Sequence, residues 1–411
     1  MPDLAPSTSA YQIDTIGGGI TAPAGFRAAG VSCGIKASGL DFALLVPDTV
    51  ASAAGLFTTN LAQAAPVMLS REHLVRSGGF ASALVVNSGC ANACTGPAGF
   101  EVARRTAELV GRRLGCAADH VLVASTGVIG VALDLQKIST GASAALDALR
   151  RDGGHDAALA IMTTDVAPKE TAVRVRTSGG AFHVGGMAKG AGMIEPMMAT
   201  MLGFVTCDAR VAPPILHRAL TEVTAETFNA ITVDGDCSTN DCVFALASGQ
   251  SDVEIDDRQY SALVDGLQTV CRYLATEIVR GGEGATKLVT VHVSGAISVA
   301  DARRAARAIA NSPLVKTAIH GGDPNWGRLI AAAGRSGVPF DLDRAAVTIG
   351  PVVLFKNGRP FDEATPEAAE YLRGKEVTIE VDLGAGGSHR ATMWTCDFSA
   401  EYIRINADYR T

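Results

Sequence analysis

Thr200 follows Ala199 near the middle of the chain, in the run Met187-Ala188-Lys189-Gly190-Ala191-Gly192-Met193-Ile194-Glu195-Pro196-Met197-Met198-Ala199-Thr200-Met201-Leu202. A threonine freed by cleavage of the bond before it carries nucleophile and base on one residue. Its hydroxyl attacks and its own α-amine takes the proton. Such an amine has a reference pKa of about 7.7–8.0, so it works near neutral pH without strong tuning. The threonine methyl restricts χ1 and limits where the hydroxyl points. The spacing alone leaves a second reading open: a glycine-rich loop feeding a buried strand that starts at Met201-Leu202-Gly203-Phe204.

Other residues could serve the same chemistry. Ser125-Thr126-Gly127 follows a strand pattern, and a Thr hydroxyl beside a Gly amide supplies two donors for a developing oxyanion. An ordinary strand-exit turn explains the same residues. Met162-Thr163-Thr164-Asp165 ends a helical pattern; its hydroxyls and carboxylate could bind an amino acid or cap the next element. Lys189 could hold a substrate carboxylate, or lower the pKa of a nearby amine by like-charge repulsion, or lie on a surface turn. Gly281-Gly282-Glu283-Gly284-Ala285-Thr286-Lys287 lacks the spacing of a phosphate-binding loop and no helical pattern follows it, which argues against a nucleotide site. Glu283 could instead meet a substrate amino group, since glycine neighbours permit close approach. The stretch Gly321-Gly322-Asp323-Pro324-Asn325-Trp326-Gly327-Arg328 reads as a structured loop. His183 and His320 stand alone and read as structural.

These groups must be positioned by a chain of 411 residues, too long for one compact core. Hydrophobic residues make up 47% and charged ones 19%, enough apolar surface to bury a large interior. Net charge is −7 with no basic block, which disfavours a nucleic-acid partner. No stretch reaches the ~18 apolar residues of a spanning helix, and the opening Met1-Pro2-Asp3-Leu4 lacks a signal-peptide pattern, so a cytoplasmic protein is expected. Nine scattered cysteines without a CxxC pair suit reduced thiols better than disulfides, and no metal site is expected.

The first dozen residues read as loose. Apolar runs predict strands at 42–46, 83–86, 120–123, 172–176, 182–184, 202–207, 230–233, 242–247, 288–293 and 347–355, with a final pair at 376–383 and 391–398. Helical periodicity covers 97–114, with Pro97 in the first turn and Gly115 at the end, then 139–151, 156–162, 213–227, 257–280 and 300–310. Strands and helices interleave, which argues for a layered α+β or α/β protein with a boundary near 283–290.

The chain resembles the ornithine acetyltransferase family of the arginine pathway, also called the bifunctional glutamate N-acetyltransferase family. The likeness runs through Thr21-Ala22-Pro23-Ala24-Gly25-Phe26, Asn87-Ser88-Gly89-Cys90-Ala91-Asn92, Ser125-Thr126-Gly127, Met162-Thr163-Thr164-Asp165 and Met187-Ala188-Lys189-Gly190. It continues through Ala199-Thr200-Met201-Leu202, Ser238-Thr239-Asn240-Asp241, Gly282-Glu283-Gly284, Asp323-Pro324-Asn325-Trp326-Gly327-Arg328 and the final Arg404-Ile405-Asn406-Ala407-Asp408-Tyr409-Arg410-Thr411. Cys90, Cys237 and Cys242 depart from the family pattern without replacing a reacting group.

The resemblance implies an α+β fold with an Ntn-hydrolase-like αββα core over 1–285 and a smaller C-terminal α/β domain over 286–411, whose tail reaches the active site. It implies self-cleavage between Ala199 and Thr200 into an α chain, 1–199, and a β chain, 200–411, that associate as α2β2. It also implies a ping-pong transfer of acetyl from N2-acetylornithine through acetyl-Thr200 to L-glutamate. Thr126 and Gly127 match the oxyanion hole. Thr163, Lys189, Thr200, Glu283, Asn406 and Thr411 match substrate contacts. No cofactor is implied; acetyl-CoA is a co-substrate in some members. Two rival classes are an N-terminal-nucleophile amidohydrolase or aminopeptidase on the same scaffold, and an uncleaved binding protein.

Overall fold

Apolar residues two apart point to the same side of a strand, and in this chain odd and even positions go to different cores. The computed structural model describes residues 11–195 and 201–408. Its first elements are β1 (Tyr11–Ile16), β2 (Phe26–Val31), β3 (Phe42–Pro47), β4 (Ala51–Phe57), α1 (Ala65–Arg76), β5 (Phe80–Ala81), β6 (Ala83–Cys90) and α2 (Gly96–Leu114). Then come β7 (Val121–Val128), α3 (Leu135–Asp147), α4 (Gly154–Ala160), β8 (Lys169–Thr177), β9 (Gly180–Lys189), β10 (Leu202–Cys207), α5 (Pro213–Ala225), β11 (Cys242–Ala247) and α6 (Tyr260–Arg280). The rest are β12 (Leu288–Ala296), α7 (Val299–Ala310), α8 (Pro313–Gly321), α9 (Trp326–Gly334), β13 (Ala346–Ile349), β14 (Val352–Lys356), β15 (Arg359–Pro360), α10 (Thr365–Tyr371), β16 (Glu376–Asp382), β17 (His389–Cys396) and α11 (Ala400–Asp408).

Two sheets stack face to face. One has the order β1-β8-β9-β10-β11-β4-β5, the other β2-β3-β6-β7. On β10 and β11, Leu202, Phe204, Cys242, Phe244 and Leu246 enter the core between the sheets, where they meet Ala43, Leu45, Leu84, Val86, Leu122 and Ala124. The alternate residues Val205, Cys207, Val243, Ala245 and Ala247 pack outward under α5 and α6. On the second sheet Phe42, Leu44, Val85, Val121 and Val123 pack outward under α1, α2 and α3. The result is the αββα layering of an Ntn-hydrolase-like α+β core. Phe204 and Phe244 are paired across β10 and β11 and their rings stack at 6.2 Å.

Within this core β6 pairs with β7 and β10 with β11 in parallel. Parallel neighbours require a crossover, and α2 and α5 supply them. Helix α4 packs into the inter-sheet core through Ala157, Ala158 and Ala160. Its small side chains let it lie against β2, where the Gly30 Cα faces the Asp156 backbone too closely for any Cβ. This helix delivers Thr163 and Thr164 to the site.

A third sheet, β15-β14-β13-β16-β12-β17, has its own core under α7, α8, α9 and α10. Among the described residues no helix is long and apolar enough to cross a membrane.

Several expectations need correction. The segment 230–233 is no strand: a 3-10 turn at Phe228–Ala230 is followed by a single bridge from Ile231 to Trp394. Its amides serve different neighbours: Thr232 N donates to Trp394 O of the third sheet at 2.9 Å and Val233 N to Ile194 O at 2.7 Å. The two last predicted strands do not pair, because β12 lies between β16 and β17. Strand order is a long-range property that the local pattern does not carry. The loop around Trp326 opens helix α9, where the Asn325 side chain accepts from Arg328 N and Trp326 stacks on Phe355 at 5.1 Å. Tyr11 and Gln12 already pair with β8, so order begins inside the stretch expected to be loose. Residues Ala400–Asp408 form α11.

Candidate active site

The end of β7 is built around glycines. Gly127 takes φ +128°, a region open to glycine. A Cβ there would lie 2.6 Å from Cys90 N and 2.7 Å from Gly89 Cα. The ladder between β6 and β7 shifts register at Gly89 and Cys90. Buried side chains brace the irregularity. Ser125 Oγ donates to Asn87 Oδ1 at 2.6 Å, and Asn87 Nδ2 to Cys90 O at 2.9 Å. Asn240 Nδ2 donates to Ala91 O at 2.6 Å and Ser125 O at 2.8 Å. Thr126 and Gly127 are thus held on a fixed backbone at the mouth of a cavity of about 220 Å³.

Lys189 ends β9 and stands opposite Leu202, the first residue of β10. It is buried, not on a surface turn. Its Nζ donates to Thr126 Oγ1 at 3.3 Å. A hydroxyl that accepts this bond keeps its own proton to donate. Burial pushes the Lys189 ammonium below its ordinary range, Asp165 pulls it back, and Lys169 pushes it further down. Asp165 is fully consumed inside the protein. It accepts from Lys169 Nζ at 2.6 Å, Gly190 N at 2.7 Å and Thr163 N at 3.1 Å. Burial alone would raise its carboxyl, but the two lysines and these donors outweigh that and hold it at about 2. Asp165 therefore fixes the loop that bears Thr163, and its carboxylate is not among the groups that line the cavity.

Glu283 sits after α6, buried against Gly192. A Cβ on Gly192 would meet the Glu283 carboxyl carbon at 2.5 Å, so glycine makes room for the carboxylate. Glu283 Oε2 accepts from Asn406 Nδ2 at 2.9 Å. Helix α11 reaches this point because Gly284, at φ +68°, lets it approach: a Cβ there would lie 2.9 Å from Ser399 Oγ and Tyr402 Cα. Ser399 Oγ donates to Gly284 O at 2.6 Å, and Tyr402 OH to Asp234 Oδ2 at 3.1 Å. Burial raises the Asp234 carboxyl, against the backbone amides of Met193 and Ile194 that it accepts. Tyr402 is raised in turn by burial and by Asp234.

Six residues singled out from the sequence, Thr126, Gly127, Thr163, Lys189, Glu283 and Asn406, line this one cavity. Ala199, Thr200 and Thr411 lie outside the described residues. Asp234, Asp236, Ser238, Asn240 and Tyr402 also line it and were not foreseen as site residues. The Asp234-Gly235-Asp236 turn after an apolar run was the available signal for two of them; Tyr402 carried none. His183 and His320 are elsewhere, paired with Asp208 at 2.8 Å and Asp397 at 2.6 Å.

The cavity presents one lysine, three carboxylates and hydroxyl donors, a set that recognises a small ligand bearing both a carboxylate and amino groups. The chain matches the ArgJ family over residues 27–411. It is 47% identical over 397 residues to the arginine biosynthesis bifunctional protein ArgJ of Parasynechococcus marenigrum, covering 96% of each chain. It is 49% identical over 404 residues to that of Gloeobacter violaceus, covering 96% of this chain and 98% of the relative. The crystal structure of the arginine biosynthesis bifunctional protein from Bacillus halodurans aligns with a TM-score of 0.50 at 44% identity, over 51% of this chain and 100% of that one. With a match across nearly its whole length, the chain belongs to the ArgJ family.

Proposed function

We propose that the protein is a self-processing N-acetyltransferase of arginine biosynthesis that moves acetyl from N2-acetylornithine to L-glutamate. Maturation starts when the Thr200 hydroxyl attacks the Ala199 carbonyl. The C–N bond breaks, the hydroxyl proton passes to the leaving nitrogen to make the free amine, and water hydrolyses the resulting ester. This leaves the Ala199 carboxylate and a free N-terminal Thr200. In turnover the Thr200 hydroxyl attacks the acetyl carbonyl of N2-acetylornithine, and the α-amine passes the hydroxyl proton to the leaving ornithine nitrogen. The glutamate α-amine then attacks acetyl-Thr200, and N-acetylglutamate leaves as the threonine regains its proton. Thr126 and Gly127 donate to the oxyanion in each step. Thr163, Lys189, Glu283, Asn406 and Thr411 hold the substrates, with Lys189 on a carboxylate and Glu283 on an ammonium.

The observation that carries this reading is the convergence of Thr126, Gly127, Thr163, Lys189, Glu283 and Asn406 on one cavity, beside the family match. The word bifunctional in the relatives' names supports acetyl-CoA as a second acetyl donor to glutamate. In this reading residues 1–285 form the catalytic core, 286–411 the smaller domain, and the cleaved chains assemble as α2β2.

The test is the denatured intact mass of the wild type and of Thr200→Ala, followed by an assay with N2-acetylornithine and glutamate. Fragments 1–199 and 200–411 in the wild type alone, with glutamate-dependent release of ornithine, are the expected result. One full-length mass in both proteins overturns the reading. Acetyl-enzyme that decays equally fast without glutamate identifies a hydrolase instead.

A further inference from the structure

The residues that lead to the bond between 199 and 200 are tied down more firmly than a loop requires. Asp234 accepts from Met193 N at 2.6 Å and from Ile194 N at 2.7 Å. Ile194 O accepts from Val233 N at 2.7 Å and Thr232 Oγ1 at 3.0 Å. Glu195 N donates to Asp236 O at 2.8 Å. Met193 takes φ +58°, a conformation that non-glycine residues rarely enter. Every one of these contacts comes from the segment 232–236.

A further contact comes from the end of α7. Asn311, the residue that caps α7, donates through Nδ2 to Glu195 Oε2 at 2.6 Å and accepts from Thr232 Oγ1 at 2.7 Å. One amide therefore locks residue 195 to residue 232. Arg307 Nε lies 3.4 Å from Glu195 Oε1. Thr232 N is itself held by Trp394 O at 2.9 Å. Neither Glu195 nor Asn311 lines the cavity, so neither is placed to touch substrate.

Resting on the self-cleavage reading above, we propose that Glu195 and Asn311 are positioning residues for cleavage of the precursor, not for acetyl transfer. The bond between 199 and 200 is bracketed by two fixed points. One is Glu195, anchored to the end of α7 through Asn311; the other is Leu202, held in register against Lys189. An intramolecular attack needs its atoms about 3–3.5 Å apart, and a misplacement of about 1 Å costs on the order of 10²-fold in rate. Once the bond is cut, Thr200 belongs to the other chain, and the anchor at residue 195 no longer sets its geometry.

The experiment follows cleavage of freshly produced full-length chains by intact mass, with acetyl transfer expressed per cleaved chain and folding checked by melting. Asn311→Ala and Glu195→Ala should each slow cleavage by about 10–100-fold, with kcat per cleaved chain unchanged. Glu195→Gln, which keeps an acceptor for Asn311, should restore cleavage towards the wild-type rate. The double alanine variant should be no slower than the worse single, because both act through one contact. Wild-type cleavage in Asn311→Ala overturns the proposal. So does a loss of kcat per cleaved chain as large as the loss of cleavage. A wild-type chain that never cleaves overturns the parent reading, and a wild type that cleaves beside variants that do not separates the two.

Discussion

Gly192→Ala offers a direct reading of what Glu283 does. The new Cβ would stand 2.5 Å from the Glu283 carboxyl carbon, against about 3.5 Å for a comfortable carbon–carbon contact. The carboxylate must therefore retreat by about 1 Å. It can do so, because it is the end of a flexible side chain and Gly192 lies in a bend outside the strands. The retreat takes Oε2 out of reach of Asn406 Nδ2, now at 2.9 Å, and equally of an ammonium held at the same oxygen. A hydrogen bond to a charged group contributes roughly 1.5–3 kcal/mol, which is about 10–150-fold in kcat/KM for N2-acetylornithine. Self-cleavage, which uses no external amine, should be close to normal, and the melting temperature should change little. The assay is steady-state release of ornithine at varied donor concentration, with intact mass on the same preparation. An unchanged kcat/KM refutes the placement of the donor's ammonium at Glu283. A collapse of cleavage together with turnover refutes the claim that the carboxylate serves substrate binding alone.

Further outcomes follow from the same geometry. Thr126→Ala should slow both self-cleavage and turnover by ~10²–10³-fold, since each passes through an oxyanion; mass and ornithine-release time courses measure the two rates. Asp165 is held at about 2 in the folded protein against an ordinary 3.8, so on acidification the unfolded chain takes up the proton first. The stability this confers is complete above about pH 5, amounts to about 2 kcal/mol, and is lost as pH falls through 3.8 towards 2. Urea midpoints between pH 5 and 3 should fall more steeply for the wild type than for Asp165→Asn. Asn240→Ala removes two buried donors and leaves Ala91 O and Ser125 O without them; a loss of about 1–3 kcal/mol is expected in urea unfolding.

What the sequence conveyed was local. The parity of apolar residues in 42–46, 83–86, 202–207 and 242–247 is enough to make two-faced strands, and the structure uses both faces. Pro97 and Gly115 bracket α2, whose C-cap Gly115 takes φ 72°. Thr126, Lys189 and Glu283 were readable because unusual side chains stood among small ones. Tyr402 was not readable, since its meaning lies in a contact with Asp234 168 residues away. The error at 230–233 has the same origin. An apolar run shows that a segment is buried, but not whether its amides face a strand neighbour or, as for Thr232, a distant sheet. The Trp326 loop was misread because Asp323-Pro324-Asn325 is both a turn signal and the start of α9.

Helix α11 has a consequence for timing. Thr126 and Gly127 are synthesised early and are fixed by neighbours in β6 and β7. Tyr402 and Asn406 line the same cavity and are made only after the third sheet's strands. A chain that has not yet released those residues lacks that part of the lining. The lining of the cavity is therefore complete only when α11, the last element in chain order, has been made.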